Sequence, residues 1–550
     1  MKHLWLSSLF AASLALAAER PNIMIILTDD AGYTDPGCYG GEIDTPNLDR
    51  LARNGLRFSN FYTNGRCSPT RASIMTGRDS AHAGFAAGTL GGWKCELPNP
   101  PYRARLAAEL PTIAELLKSA GYRTFMAGKW HLGGSLMKGD PTQQSIWKKT
   151  HPGWELTQEE MDADFNALPT QRGFDHFFGM IEGGGNFFLL PGGKLTYLDG
   201  NQPAKLRYER TYTIESADPR KDARPFVHQG KTTKAFFDTD GLTDWVVDSL
   251  KDKEGDEPFF MYLAYRAPHL PLQAPKELVD KYKSRYADLK QVEEARIRGL
   301  IREKLFPAEA PVKTRFHDEP PVTGEIERNS KQHLLAVHAA MMEGIDQNVG
   351  RIVRALEESG QLENTLIFFL SDNGAASHSV DLMNKPYEGV KALMWEGGTK
   401  THCIAHWPAK ISPGAITGSI GWVGDFLPTL LEAAGAKPSV KFDGRSLMPA
   451  LAGESMPPPE HLFFNDRGQQ SVIWQGRWKL LIEPGWFIHT SRKAGTVVEL
   501  YDLHKDPAET RNLASEHPEI VRKLSDACVV WQKQCGIIDY AEILKGNPQH

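Results

Sequence analysis

The stretch Arg20-Pro21-Asn22-Ile23-Met24-Ile25-Ile26-Leu27-Thr28-Asp29-Asp30 constrains the fold more than any other part of the chain. Its apolar run has no polar alternation. Such a run suits a strand buried on both faces, and strands of that kind belong to largely parallel sheets covered by helices. Residues 258–264 and 365–370 repeat the pattern, and shorter strands are expected at 56–62, 122–127 and 403–407. Between them lie helical segments. The longest, 332–358, carries Leu334, Val337, Met341, Ile345, Val349, Ile352 and Leu356 at helical spacing and reads as core packing. Thr45 stands as the N-cap of another, with Pro46 at its first position. The expected fold is α/β: a large mixed, mostly parallel sheet sandwiched by helices. After about residue 455 the texture changes. Strands within 471–482 and 497–501, then a helix at 518–533, predict a smaller C-terminal α+β domain containing an antiparallel sheet.

Ligands of open α/β sheets gather at the carboxyl ends of the strands. The first strand ends in Asp29 and Asp30, and the run at 365–370 closes in Ser371-Asp372-Asn373-Gly374. The strand at 56–62 leads into Cys67-Ser68-Pro69-Thr70-Arg71, a loop entering a helix with Cys67 in the N-cap position. A helix N-terminus favours an anion, and Arg71 and Arg78 add full charges. The strand at 122–127 leads into Gly128-Lys129-Trp130-His131-Leu132-Gly133, where alternation in extended chain would point Lys129 and His131 together. Pro268-His269-Leu270-Pro271 follows another strand and reads as an extended loop. Lys391 lies in the glycine-punctuated stretch Tyr387 to Gly398. Taken singly, each has an ordinary explanation: solvated turn aspartates, a surface lysine, a packed histidine.

The formal net charge of −5 gives no electrostatic basis for nucleic-acid binding. Lys2 and His3 precede an apolar run from Leu4 to Leu16 that ends in small residues. Residues 1–18 therefore read as a secretory signal peptide, and the run is too short to span a membrane comfortably. No other long apolar run follows, so a secreted or periplasmic protein without a membrane span is expected. Of the six cysteines, setting Cys67 aside leaves an odd number and no tidy disulfide framework. Cys528 and Cys535 lie two helical turns apart, about 10 Å, and pair only if that helix breaks.

Asp29, Asp30, Asp372 and Asn373 form a hard oxygen set that suits Ca²⁺ or Mg²⁺ rather than zinc. Arg71, Lys129, His131, His269 and Lys391 supply positive or donor groups at neighbouring strand ends. A divalent cation facing a ring of cations implies a bound oxyanion, and sulfate or phosphate esters are the natural substrates.

Cys67-Ser68-Pro69-Thr70-Arg71, with Thr76-Gly77-Arg78, resembles the signature of the formylglycine-dependent sulfatases (arylsulfatase type) of the alkaline-phosphatase superfamily. Gly128 to Gly133 resembles that family's second signature. Asp29-Asp30, Pro268-His269, Asp372-Asn373-Gly374 and Lys391 with Trp395-Glu396-Gly397-Gly398 follow in the family's order. Leu500-Tyr501-Asp502-Leu503, with Asp506-Pro507, Glu509 and Asn512-Leu513, is similar to its C-terminal hairpin motif. After Gly398 the chain has Thr399-Lys400-Thr401-His402, where many relatives have Arg-Val-Pro.

The resemblance implies an alkaline-phosphatase-like catalytic domain over 19–455 and an α+β subdomain over 456–550. It implies that a formylglycine-generating maturation enzyme oxidises Cys67 to formylglycine. The hydrated aldehyde would share the cation with Asp29, Asp30, Asp372 and Asn373. One of its hydroxyls attacks sulfur, and the other then loses a proton, to His131 in this reading, so that sulfate leaves. Arg71 would support the hydrate, Lys129 orient and neutralise the site, and His269 and Lys391 assist the leaving oxygen. The expected activity is hydrolysis of sulfate monoesters of sugars or aryl alcohols. A phosphodiester or phosphonate monoester hydrolase is the enzyme alternative. An exported carbohydrate-binding protein is the non-enzyme one.

Overall fold

The computed structural model describes residues 20–86, 100–134, 158–192, 197–219, 229–252, 255–316, 318–377, 380–437, 440–466, 468–484 and 497–537. The expected signal peptide and Cys95 lie outside the described residues. Seven longer strands form the body of a mixed sheet: β1 (Asn22–Thr28), β2 (Leu56–Tyr62), β3 (Arg123–Lys129), β4 (His176–Met180), β5 (Phe259–Ala264), β6 (Thr365–Ser371) and β7 (Lys400–His406). They lie side by side in the order β2-β7-β6-β1-β5-β3-β4. Parallel pairing joins β6, β1, β5, β3 and β4, whereas β7 runs antiparallel to both β6 and β2. Reversing one strand leaves β2 pointing the same way as β1. The carboxyl ends of β1, β2, β3, β5 and β6 therefore meet along one edge.

The unbroken apolar runs divide between the two faces by the period of two. Met24 and Ile26 join Met261, Leu263, Ile367 and Phe369 in one core, while Ile23, Ile25 and Leu27 join Phe260, Tyr262, Leu366 and Phe368 in the other. The main helices are α1 (Pro46–Arg53), α2 (Cys67–Thr76), α3 (Ile113–Ser119), α4 (Asp238–Lys251), α5 (Lys331–Glu358), α6 (Phe426–Ala433) and α7 (Pro518–Cys535). The first face carries α1, α4 and α5, and the second carries α2, α3 and α6. Each fully buried Ile, Leu or Phe in these layers contributes about 1.5–3 kcal/mol. The sandwich thus stands as expected.

Local expectations gave way where a distant partner intervened. Thr45 does not cap α1. Its hydroxyl accepts from Gly37 N and donates to Asp49, and Asp346 of α5 accepts instead from the amides of Asn47 and Leu48 at 3.0 and 2.8 Å. Strand β4 falls within residues 135–235, a stretch rich in Gly, Pro, Lys and aromatics that reads as irregular. The highly charged segment from Lys276 to Lys313, by contrast, reads as a helical insertion and does carry two helices, Lys276–Lys283 and Leu289–Arg302, joined by a 3-10 turn.

The C-terminal part is a four-stranded antiparallel sheet of β8 (His461–Asp466), β9 (Gln469–Trp474), β10 (Trp478–Ile482) and β11 (Val498–Asp502), in that order. Helix α7 packs on it through Leu524 and Cys528 against Val472, Leu480 and Leu500. The helix runs unbroken through Cys528 and Cys535, and both are free thiols. Among the described residues no helix is long and apolar enough to cross a membrane.

A buried ion cluster bolts this sheet to the larger one. Lys479 on β10 lies 2.9 Å from Glu396 and 2.9 Å from Glu509, and Glu509 accepts from the Glu396 amide at 2.7 Å. Tyr62, the last residue of β2, donates to Glu396 at 2.9 Å. Burial opposes the charge on Glu396, but Lys479 and Lys400 offset it and hold its pKa below the ordinary value. Removing one partner of a buried pair leaves the other charge uncompensated. Lys479→Met is therefore expected to cost about 3–5 kcal/mol of stability. Chemical denaturation checks this: the midpoint should fall at unchanged slope, and an unshifted midpoint would show that the cluster does not hold the two parts together.

Candidate active site

The loop after β2 is set by Asn64, whose side chain donates to Pro69 O at 2.9 Å and to Ser73 at 2.7 Å while accepting from Trp422. The Asn64 amide donates to the Thr70 hydroxyl. This places Arg66 at the N-cap and makes Cys67 the first helical residue, so the helix begins one residue earlier than expected. Pro69 sits in the first turn, where its missing N–H costs nothing. Gly77, at φ 64°, ends the helix. Every residue of α2 is buried.

Asp29, Cys67 and Asp372 offer ligand atoms within 4.8 Å of one another, and so do Asp29, Asp30 and His269. Asp372 holds the Arg71 guanidinium through Nη2 at 2.8 Å and Nε at 3.1 Å, and Arg71 Nη1 donates to Lys129 O at 2.8 Å. Lys129 is paired with Asp29 in a buried contact. Lys391 lies 2.7 Å from Asp30, and His269 Nε2 lies 3.6 Å from the same carboxylate. Asn373 donates to Asp30 at 2.7 Å. His131 stands among Lys129, Glu182, Arg71 and Asp29. All ten residues named from the sequence thus converge.

Three details differ from expectation. His131 takes φ 58°, so it reaches the site from a left-handed turn rather than by alternation. The His269 amide donates to Arg266 O at 2.9 Å, a tight turn rather than an extended loop. Arg78 leaves the anion site altogether and pairs with Asp443 at 2.9 Å.

The electrostatics are strongly coupled. Burial opposes the charge on Asp29, but Lys129, His269, Lys391 and Arg71 hold its pKa well below the carboxylate range. Burial, with the Asp29 charge added, pushes Asp372 up to about 8. Burial and Lys391 lower His269 to about 4, and burial with Lys129 lowers His131. Crowded carboxylates of this kind accept a cation readily. Asp29 Oδ1 and Asn373 Oδ1 are buried without a hydrogen-bond partner, as oxygens awaiting a hard metal ion would be. The residues present fit the group.

Close backbone approach keeps the carboxylates there. A Cβ on Gly374 would stand 1.8 Å from Gly397 O, so only glycine lets the β6 loop lie against the loop that carries Glu396.

The sequence profile of the sulfatase family matches residues 21–436. The chain belongs to the sulfatase family. A second profile, of the N-sulphoglucosamine sulphohydrolase C-terminal region, matches residues 389–534. An uncharacterized sulfatase of Schizosaccharomyces pombe is 31% identical over 577 aligned positions, covering 95% of each chain. An arylsulfatase of Klebsiella aerogenes is 28% identical, covering 80% of this chain and 91% of its own. Among solved structures, one bound to its substrate D-glucosamine-2-N,6-O-disulfate is similar at TM-score 0.59 and 21% identity, covering 94% of this chain and 98% of that one. The phosphonate monoester hydrolase of Agrobacterium radiobacter is similar at TM-score 0.57 and 18% identity, covering 94% and 96%. These last two show the shared alkaline-phosphatase-like fold.

The sulfatase is therefore an enzyme of sulfate-ester hydrolysis, and its motifs have visible purposes. Glu396 and Glu509 meet at the Lys479 cluster. Asp506 accepts from the Thr510 and Arg511 amides, and Asn512 accepts from Leu500 N, which ties the C-terminal motif to β11. Sequence reasoning passed over Arg66, Asp466 and Gln469. Asp466 grips Arg66 at 2.8 Å, and Gln469 donates to Ala392 O at 2.9 Å. Only the adjacency of Arg66 to Cys67 could have drawn attention to them.

Proposed function

We propose that this sulfatase hydrolyses sulfate monoesters of carbohydrates, with Cys67 matured to formylglycine by a dedicated maturation enzyme and Asp29, Asp30, Asp372 and Asn373 holding a divalent cation, Ca²⁺ before Mg²⁺. The observation that carries the reading is the joint placement of Cys67, Asp29 and Asp372 around one point, backed by Arg71. When bound, the cation polarises the sulfate oxygens and lowers the pKa of the nucleophilic hydroxyl. Arg71 stays charged and orients the group at position 67. Lys129 and Lys391 balance the developing negative charge, and Lys391 with His269 faces the leaving oxygen. His131, kept neutral by burial and Lys129, is suited to accept a proton at an imidazole nitrogen.

Residues 1–18 serve in this reading as an export signal, with the catalytic domain at 19–455 and the α+β subdomain at 456–550. Initial rates on 4-nitrophenyl sulfate and on a bis-aryl phosphate diester test the assignment. Preferred turnover of the sulfate supports it. Preferred turnover of the diester would overturn it in favour of the phosphodiester or phosphonate alternative.

A further inference from the structure

The chain leaving β4 crosses over one of the two histidines of the site. Beyond Met180 it stays beside the segment after β3: Trp130 N donates to Met180 O and His131 N to Ile181 O, both at 2.9 Å. Gly183 comes next, and it lies on the His131 ring. A Cβ at Gly183 would stand 2.8 Å from Cε1, 3.0 Å from Nε2 and 3.1 Å from Nδ1. Three ring atoms at nearly one distance place that Cβ over the face of the imidazole rather than at its edge. At Gly184, one residue on, a Cβ would meet nothing within 4 Å.

The far side of this loop is pinned as well. Arg266 is fully buried; its Nη2 donates to Asn186 O at 2.8 Å, and its guanidinium lies 4.1 Å from the centre of the Phe187 ring. Asp238, at the start of α4, holds Arg266 through Nε at 3.1 Å. The Phe187 amide donates to the Gln273 side-chain oxygen at 2.7 Å. With Ile181 tied to His131 and Asn186 tied to Arg266, the glycine backbone between them is a fixed surface against which the imidazole rests.

What would give way separates this glycine from Gly374. There an added Cβ meets a backbone oxygen, and the loops themselves must part. At Gly183 it meets the end of a side chain with two rotatable bonds, so the ring turns aside while the strands stay put. Displacing a reacting group by about 1 Å costs on the order of 100-fold in rate. We propose that Gly183 is a positioning residue whose bare backbone fixes the His131 imidazole for the second half of the reaction. This rests on the sulfatase reading above. In that half, the free hydroxyl of the group at position 67 gives its proton to a His131 nitrogen. Its oxygen closes the carbonyl, and the C–O bond to sulfate breaks with the electron pair leaving on sulfate. The preceding attack at sulfur does not use His131, so the two halves can be told apart.

The test uses 4-nitrophenyl sulfate with the wild type, Gly183→Ala, Gly184→Ala, His131→Ala and the double variant of Gly183 and His131. Rates are normalised to the formylglycine content at position 67, and thermal melts check folding. Gly183→Ala should lower kcat about 10- to 100-fold. KM should fall in proportion and leave kcat/KM within about threefold of wild type, because only the step after release of the alcohol is slowed. A burst of 4-nitrophenol should precede the slow phase, and acid-quenched enzyme should carry sulfate on the peptide containing position 67. A crystal structure of Gly183→Ala should show the His131 ring displaced and β3 and β4 in place. Gly184→Ala should stay within about twofold of wild type. Gly183→Ala should add nothing in the His131→Ala background. An unchanged kcat in Gly183→Ala would overturn the proposal, as would a kcat/KM that falls as far as kcat. So would the same loss repeated in the His131→Ala background, or a Gly183→Ala variant that fails to fold, since the backbone and not the ring would then be what yields. A wild type inactive on every sulfate ester would instead sink the sulfatase reading itself.

Discussion

Replacing Cys67 with alanine is expected to lower turnover of a sulfate ester by on the order of 10⁴-fold or more, the scale on which loss of a nucleophile acts. The fold should survive. Cys67 is buried at 6% exposure, and removing its sulfur leaves a void smaller than a methylene group needs. A cost of about 1 kcal/mol is expected. Cys67→Ser is the sharper variant. A serine oxygen can attack sulfur but has no second hydroxyl to expel the sulfate, so that enzyme should stall as a sulfate ester visible by mass spectrometry. Mass spectrometry of the wild-type peptide containing Cys67 should show an aldehyde or its hydrate in place of the thiol. Retained turnover in Cys67→Ala, or an unmodified thiol in fully active enzyme, would rule out the mechanism.

The second large effect is expected on removal of the cation. Asp29, Asp30 and Asp372 crowd three carboxyl groups into a buried space, and Lys129, Lys391 and Arg71 are all already engaged with them. Extraction with a chelator should reduce turnover by on the order of 10²-fold or more, since stabilisation of the transferring oxyanion goes with the metal. Stability should fall with it. A ligand at 100 times its Kd stabilises the folded state by about 2.7 kcal/mol. The melting temperature should therefore rise with added Ca²⁺, and activity should return in parallel. Indifference of both rate and melting temperature to chelation would remove the four-residue cation site.

How much was legible depended on how local each cause was. The buried strands declare themselves because a strand covered on both faces needs no polar residue along its length, as Ile23 to Leu27 and Leu366 to Leu370 illustrate. Their ends could be read because chemistry gathers there, and the ten site residues converge for that reason. What escaped depends on partners far away in sequence. Asp346 caps α1 from 299 residues away. Strand β4 is five residues long with an exposed His176, too short and mixed to announce itself among glycines and aromatics. Strand β8 alternates weakly behind a proline-rich entry. The left-handed turn at His131 and the tight turn at His269 carry no sequence mark beyond neighbouring Gly and Pro. Arg66 gives no sign that a carboxylate waits in the C-terminal sheet.

The grip of Asp466 on Arg66 spans 400 positions. As the chain emerges from the ribosome, the segment bearing Cys67 appears early and its brace appears only after most of the polypeptide has been made. The segment leading into Cys67 therefore gains this contact only once the C-terminal sheet is present. Closing that contact directly from an unfolded chain carries a large loop-closure entropy. A chain cut short before residue 466 would keep its apolar sheet and every residue of the metal cluster, yet would lack the tether that fixes the segment leading into Cys67.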